Sequence, residues 1–304
     1  MRDALPPSSE QVLVFLAVVD HGSFSAAARS LRRAQSAVTY AIQQLESDLG
    51  VSLFDRGGGR PVLTPQGAAL LRHARRIAHE IAAMQRRAHS LVQGEEPELR
   101  LVVESMFPMP QLVGVIKGFA EAFPSVTLRL FVETLGAAAE RVIDRTCTIG
   151  IAGPVGVGID DLTSIPMGTI ARVPVAAPDH PLARWKEDIP ADVLADHVQL
   201  VTTDRSALSR DQEFGVLSPV TWRLTDLGAK HAMILAGLGW GSLPRHMVET
   251  DLLEKRLVEL HPAGSGSSHW LSSLPLFAIH RADAELGPAA RDMLTRLRTT
   301  LVGA

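Results

Sequence analysis

The residues best suited to chemistry in this sequence are a run of hydrogen-bonding side chains at helical spacing. From Gln35 onward, Ala37, Val38, Ala41, Ile42, Leu45 and Leu49 recur as one apolar stripe. The other face carries Gln35, Ser36, Thr39, Tyr40 and Gln43. A surface helix ordinarily takes its solubility from charge, and this face has none. Gln presents a donor and an acceptor together to an adenine edge. Ser and Thr serve bases or phosphates, and the Thr methyl can touch the thymine methyl. Arg32 and Arg33 sit at the amino-terminal edge, where phosphates would lie and where the helix dipole favours anions. The pattern predicts a helix that reads bases; the bland alternative is a solvated polar face with no partner.

Neighbouring segments would position that face. Ser23 is a good N-cap for an Ala-rich helix over 24–31, Arg32-Arg33-Ala34 is a short connection, and Gly50 supplies a stop. Ala26, Ala27, Ala28, Ala37 and Ala41 let two helices cross closely. With a first helix over 10–20 this makes a three-helix unit containing a helix-turn-helix. Next, the apolar runs 51–54 and 61–63 flank Asp55-Arg56-Gly57-Gly58-Gly59-Arg60 and read as a β-hairpin, the wing of a winged helix. Arg56 and Arg60 would meet the DNA backbone or the adjacent minor groove. A phosphate-cradling glycine loop is the weaker reading, because no Lys-Ser or Lys-Thr follows.

Thr64 then caps, and Pro65 opens, a helix predicted to run unbroken to Val92. Leu70, Ala74, Ile77, Ile81, Met84, Ala88 and Leu91 follow a 4-3-4-3-4-3 spacing, the a/d seam of a coiled coil. Arg72, Arg75, Arg76, Arg86 and Arg87 lie outside it. So narrow a seam predicts pairing with a second copy, the alternative being packing on its own domain. A two-fold protein would match two half-sites on DNA.

Composition sets the frame. A chain of 304 residues with 46% hydrophobic and 21% charged residues is globular and long enough for two or three domains. The net charge of −3 is divided unevenly. Residues 1–94 hold 11 Arg, no Lys and 7 acidic residues, a balance of +4; the rest hold 19 basic and 26 acidic residues, a balance of −7. A basic amino-terminal part suits an anionic partner. The apolar stretch 12–19 is too short to span a bilayer and lacks the flanks of a leader, so the chain reads as cytoplasmic with no membrane partner. Cys147, the single cysteine, reads as a core residue. HExxH, GxSxG and CxxC are absent, and scattered histidines give no catalytic or metal constellation. No catalytic residue, metal or cofactor is expected, although a spatially assembled triad is not visible to one sequence.

After a linker at 93–97 the periods alternate. Strand patterns at 99–103, 126–132, 147–152, 171–177, 198–202, 221–224, 240–243 and 274–279 interleave with helical patterns at 110–123, 135–145, 226–236 and 288–301. Alternation of this kind predicts one or two open α/β sheets. Ligands in such sheets sit in the crevice beyond the carboxyl ends of the strands.

The stretch 24–67 resembles the DNA-binding region of LysR-type transcriptional regulators. The resemblance lies in Phe24-Ser25-Ala26-Ala27-Ala28, Gln35-Ser36-Ala37-Val38-Thr39, Ile42, Leu45-Glu46, Leu49-Gly50-Val51, Leu53-Phe54-Asp55-Arg56 and Leu63-Thr64-Pro65-Gln66-Gly67. The body is similar to the family from Phe119 to Pro124, at Ile143-Asp144 with Ile149-Gly150-Ile151, and at Ala236-Gly237-Leu238-Gly239-Trp240-Gly241 with Leu243-Pro244. Tyr40 stands where many relatives carry Arg or Lys, and the Gly57-Gly58-Gly59 tip lacks the basic residues often found there.

This resemblance implies a winged helix-turn-helix over 1–64, a linker and dimerisation helix over 65–92, and a two-lobed α/β regulatory domain over 98–304, like a periplasmic solute-binding protein. Lobe one would hold about 98–167 and 270–304, lobe two about 168–269. A small-molecule inducer would bind between the lobes, at Ser105, Met106, Phe107 and Thr134 from the first and Thr202, Thr203, Thr225 and Asp226 from the second. Asp226 fits an N-cap better than a ligand contact, and Met106, Phe107 and Met109 fit core packing as well as an apolar wall. Promoter DNA, RNA polymerase and further copies of the chain in a dimer or tetramer are the implied partners. A pure solute-binding protein and an enzyme are the competing functions.

Overall fold

The structure is a computed structural model that describes residues 6–300, apart from Arg56, Gly58, Gly59, Asp211 and 264–271. It divides into two units, Met1–Val92 and Gln93–Ala304.

In the first unit α1 (Ser9–His21), α2 (Phe24–Ser30) and α3 (Gln35–Leu49) precede a short hairpin, β1 (Phe54–Asp55) and β2 (Val62–Leu63), and the long α4 (Pro65–Val92). Ser8 and Gln11 form a reciprocal capping box at the start of α1, and Gly22 ends it in the left-handed conformation. Val14, Phe15, Ala27, Val38, Ile42, Leu45 and Leu53 share one buried core. Phe54 joins the hairpin to that core, its ring edge-on to Phe15 at 5.5 Å and to Phe24 at 5.7 Å. The stripe on α3 is narrower than its sequence suggests. Ala37 is exposed and Leu49 is 37% exposed, so Val38, Ile42 and Leu45 anchor the helix, with Ala41 half-buried beside them.

The second unit runs β3 (Glu98–Glu104), α5 (Met109–Ala122), β4 (Thr127–Glu133), α6 (Gly136–Ile143), β5 (Ile149–Ala152), β6 (Leu162–Ala176), α7 (Ala191–Ala195), β7 (Gln199–Thr202), β8 (Thr221–Leu224), α8 (Leu227–Leu235), β9 (Gly241–Pro244), α9 (Arg245–Leu253), β10 (Val258–Glu259), β11 (Ser273–Arg281) and α10 (Pro288–Thr300). The main sheet has the order β10-β6-β11-β5-β3-β4, with β9 also on β6. β3 is parallel to β4 and β5, whereas β11 is antiparallel to β5 and β6. β3 is covered on both faces. Leu99, Leu101 and Val103 share a core with Leu112 and Phe119 of α5 and Met293 and Leu297 of α10; Val102 belongs to a second core with Ala138, Ala139 and Val142 of α6. Cys147 lies in that second core, where burial pushes its thiol up to about 11 and keeps it protonated.

β6 joins the two lobes. Leu162–Ala171 pairs antiparallel with β11; from Arg172 onward the same strand pairs with β9 and then β10. The sequence pattern showed only its second half. Pro166 and Gly168 interrupt the first half and sit opposite a register shift between Leu276 and Phe277, a bulge that accommodates both residues. The strand changes partner between Ala171 and Arg172, a few residues beyond the expected lobe boundary at 168. β7 and β8 form a parallel pair whose Gln199 bridges to Trp240 before β9.

Candidate DNA-reading face and interlobe cleft

Gln35, Ser36, Tyr40 and Gln43 are exposed on α3, and Thr39 is half-buried among them. Tyr40 stands out furthest, at 67% exposure. The Thr39 hydroxyl donates to the Gln35 carbonyl at 3.0 Å. Arg32 occupies the left-handed region, φ 52°, and closes α2. The Arg33 N–H reaches the Ala28 carbonyl at 2.9 Å and the Arg32 N–H reaches the Arg29 carbonyl at 3.2 Å, a Schellman motif with Arg in glycine's place. Arg33 is paired with Glu10 at the start of α1, and both side chains are exposed. Arg60 is exposed on the hairpin; Arg56 lies outside the described residues.

Three residues fix the hairpin to the helices. Glu46 of α3 accepts the backbone N–H of Leu53 at 2.7 Å and of Phe54 at 3.2 Å. Thr64 accepts the Gly67 N–H at 2.9 Å, capping α4, and donates to the Ser52 carbonyl at 2.6 Å. Gly67 lies so close to the Leu53 carbonyl that any Cβ there would clash with backbone. The glycine is therefore a packing requirement. On α4, Ala74 is buried, Leu70 and Ile81 are half-buried, and Ile77, Met84, Ala88 and Leu91 are exposed along one seam.

In the second unit a cleft of about 1090 Å³ opens between the lobes. Ser105, Phe107 and Thr134 line it from one side and Thr225 and Asp226 from the other. Several helices begin at its edge: α5 at Met109, α6 at Gly136, α8 at Leu227 and α9 at Arg245. Asp226 caps α8 by accepting the Ala229 N–H at 2.5 Å. The α6 terminus is occupied from across the cleft. Asp204 accepts the Ala137 N–H at 2.8 Å, and Glu140 accepts the Ala207 N–H at 3.1 Å. Thr134 donates to the Thr203 carbonyl at 3.1 Å. Three bonds thus tie the 203–207 segment to α6 and to Thr134 just before it.

Behind that seam is a small cavity of about 20 Å³, lined from both lobes. Met106 and Thr202 line this cavity and not the outer cleft, because the chain turns inward after Glu104 and Thr202 points at Lys230. Phe107 is buried in the core and touches the cleft with one face. Glu104 is buried, and burial raises its carboxyl to about 7 against hydrogen bonds from the Ser105 hydroxyl and the Leu135 N–H, each 3.0 Å. Leu135 itself has φ 50° and ψ −127°, a glycine-like conformation held by that bond. Burial lowers Arg172 to about 10, with the Glu104 charge acting oppositely.

The structure brings Ser105, Phe107, Thr134, Thr225 and Asp226 to one cleft and diverts Met106 and Thr202 to the inner cavity; Thr203 lies between, offering its carbonyl. Sequence reasoning missed Asp204, Glu140, Glu104, Arg172 and Lys230. The one available signal was a charge ending or interrupting an apolar run, as Glu104 does after Leu101-Val102-Val103. Among the described residues no group of three or more His, Cys, Asp or Glu is placed to hold a metal ion, and no single helix is long and apolar enough to cross a membrane.

Comparison with known proteins gives the same division of the chain. Residues 9–68 match the family model for the bacterial regulatory helix-turn-helix protein of the lysR family, and residues 93–302 match the LysR substrate binding domain. The chain is 33% identical over 256 residues to the probable HTH-type transcriptional regulator YhaJ of Escherichia coli K12, covering 83% of this chain and 85% of the relative. It is 28% identical over 297 residues to the HTH-type transcriptional regulator AceR of Acinetobacter baumannii, covering 96% of each. Among solved structures, CrgA of Neisseria meningitidis, a LysR-type transcriptional regulator, aligns with a TM-score of 0.51 at 24% identity, covering 98% of this chain and all (100%) of that one. A lysR-family helix-turn-helix joined to a LysR substrate binding domain places this chain in the LysR family of DNA-binding transcriptional regulators.

Proposed function

We propose that two copies pair along α4 and set their α3 helices into successive major grooves of promoter DNA. Gln35, Ser36, Thr39, Tyr40 and Gln43 read base edges, while Arg32, Arg33, Arg56 and Arg60 hold phosphates or the minor groove. The observation that carries this reading is the uncharged face of α3, flanked by arginines that can leave surface partners for DNA. Arg33 and Glu10 are exposed enough that their pair contributes little in water, so its exchange for phosphate is cheap.

A small-molecule effector occupies the cleft between Ser105, Phe107 and Thr134 and the Thr203, Thr225 and Asp226 side, with Met106 and Thr202 behind it. On this reading the winged helix spans 1–64, the pairing helix 65–92 and the regulatory domain 98–304, and the protein works in the cytoplasm, with RNA polymerase as the downstream contact and without turnover of its own. The effector acts by binding two arrangements of the assembly with different affinity. Footprinting and DNA bend measurements with and without a saturating effector, found by screening for thermal stabilisation, test this. A footprint and bend angle that do not move at saturation contradict the switch.

A further inference from the structure

The connection from β7 to β8 is long for what it joins. It runs from Thr203 to Val220, with no helix or strand among its described residues. Connections of more than about 12–15 residues without such structure are uncommon unless they bind or cover something. The returning part is held by lobe two. Gln199 of β7 donates to the Gly215 carbonyl at 2.7 Å and accepts the Leu217 and Ser218 N–H groups at 2.7 and 3.0 Å.

The outgoing part lies instead on α6 of lobe one. Leu208 packs against the core formed by Ala138, Ala139 and Val142, and Ser206 Oγ comes so near Gly136 that a Cβ there has no room. The polar contacts are Asp204 with the Ala137 N–H, Glu140 with the Ala207 N–H and Thr134 with the Thr203 carbonyl. No side chain of its own caps α6. Asp204 supplies that carboxylate from across the cleft, where the helix dipole favours it, and the Ser209 hydroxyl donates to its other oxygen. The same segment is a wall of the cleft, since Asp204, Arg205 and Ser206 line it together with Ala137 and Glu140.

We propose that residues 204–209 are a strap that latches lobe two onto lobe one, with Asp204 as its catch, and that opening of this strap is the movement by which an occupant of the cleft is felt. The regulatory part rests on the reading of the cleft as an effector site. A ligand shifts an equilibrium only through contacts that differ between the two arrangements. The strap contacts lie at the cleft wall, so a molecule seated against Ala137 and Glu140 meets them directly. The latch is also weak enough to open, being a few hydrogen bonds and one half-buried leucine. Asp204 is thus a positioning residue for the lobes.

The test uses the full chain without effector or DNA. Spin labels are placed at Lys117→Cys on lobe one and Lys186→Cys on lobe two, both exposed positions, with excess unlabelled chain so that only distances within one chain are read. Cys147 is buried and protonated and does not compete for label. Asp204→Ala is expected to add a longer-distance population and to speed exchange of the Ala207 amide roughly tenfold or more, the loss expected for one charge-assisted hydrogen bond. If Asp204 only caps α6, the Glu140 bond still protects Ala207 and the lobe distance stays put. No change in either readout overturns the latch. Should Asp204→Ala fail to fold, Leu208→Ala removes the apolar part of the same strap and is judged by the lobe distance alone, with the same outcomes. A strap that opens in the variant, while no screened effector moves the footprint of the unaltered protein, would leave the latch and remove the cleft reading.

Discussion

The carboxylate of Glu46 accepts the backbone N–H of Leu53 at 2.7 Å, so α3 itself sets where the wing begins. Phe54, the next residue, is held by the same oxygen at 3.2 Å and packs edge-on to Phe15 and Phe24. Helix and wing are thus held as one piece. Glu46→Ala leaves two backbone donors without this acceptor, and should lower stability by about 1–3 kcal/mol. DNA affinity should fall further than stability alone explains, because the wing is no longer in register with α3. Chemical denaturation and DNA titration of the same preparation check this; unchanged affinity would detach the wing from recognition.

Gln43 and Arg33 separate the two components of DNA recognition. Gln43 is exposed on the uncharged face, so Gln43→Ala should relax preference at particular bases, by about 1–3 kcal/mol of discrimination. Arg33→Ala should weaken all sequences alike and lower the salt slope by about 1. Competition against a randomised site library reads both effects. Identical preferences in the unaltered protein and Gln43→Ala would remove Gln43 from base reading.

Arg32 closes α2 at φ 52°, a conformation that costs an L-residue roughly 1–2 kcal/mol. Arg32→Gly should therefore raise the Tm while weakening DNA binding through the lost charge. Stability and affinity moving in opposite directions identifies a residue retained for its charge. A variant that loses both would show that the Arg side chain supports the turn.

Glu104 predicts a pH dependence. Its carboxyl rises from 4.5 to about 7 in the fold, so the folded protein keeps a proton that the unfolded chain has released. The stability this contributes is complete below the unfolded value and is lost as pH rises through the folded one, roughly 3 kcal/mol in all. Glu104→Gln, neutral throughout, should flatten the decline in unfolding free energy between mildly acid and mildly alkaline buffer. Equal pH slopes in the two proteins would mean that Glu104 is already ionised in the fold.

The seam on α4 leaves Ile77 and Met84 exposed in the single chain, Met84 at 67%. Met84→Glu should shift the protein toward monomer in sedimentation and reduce affinity for a two-fold site far more than for a half-site. Unchanged sedimentation would assign pairing to another surface.

Elements that repeat at a clean period were legible from the residues alone. Phe15 and Ile42 fall on the buried stripes that their spacing predicts, and Asp226 caps α8 as its type and position suggest; Ala74, expected on a seam between two copies, is instead buried in the core of its own amino-terminal unit. Ala37 and Leu49 were misread because a stripe drawn from hydrophobicity takes no account of how little of a helix a three-helix unit can cover. The first half of β6 was hidden by Pro166 and Gly168, which a bulge opposite them makes tolerable. The contacts across the cleft were out of reach for a different reason. Asp204 and Ala137, like Glu140 and Ala207, lie 67 positions apart, and no local pattern joins them. The inner cavity depends on the same long-range closure, since Glu104 and Lys230 come to line one cavity only once both lobes have folded onto β6.

The central claim is that α3 and its flanking arginines bind duplex DNA. It is tested most directly by measuring affinity for the DNA upstream of the protein's own gene across a salt series. The account predicts a protected, two-fold symmetric site and a log affinity that falls linearly and steeply with log salt, with a slope of about −0.9 for each phosphate neutralised. No protection at low salt, or an affinity indifferent to salt, would contradict it.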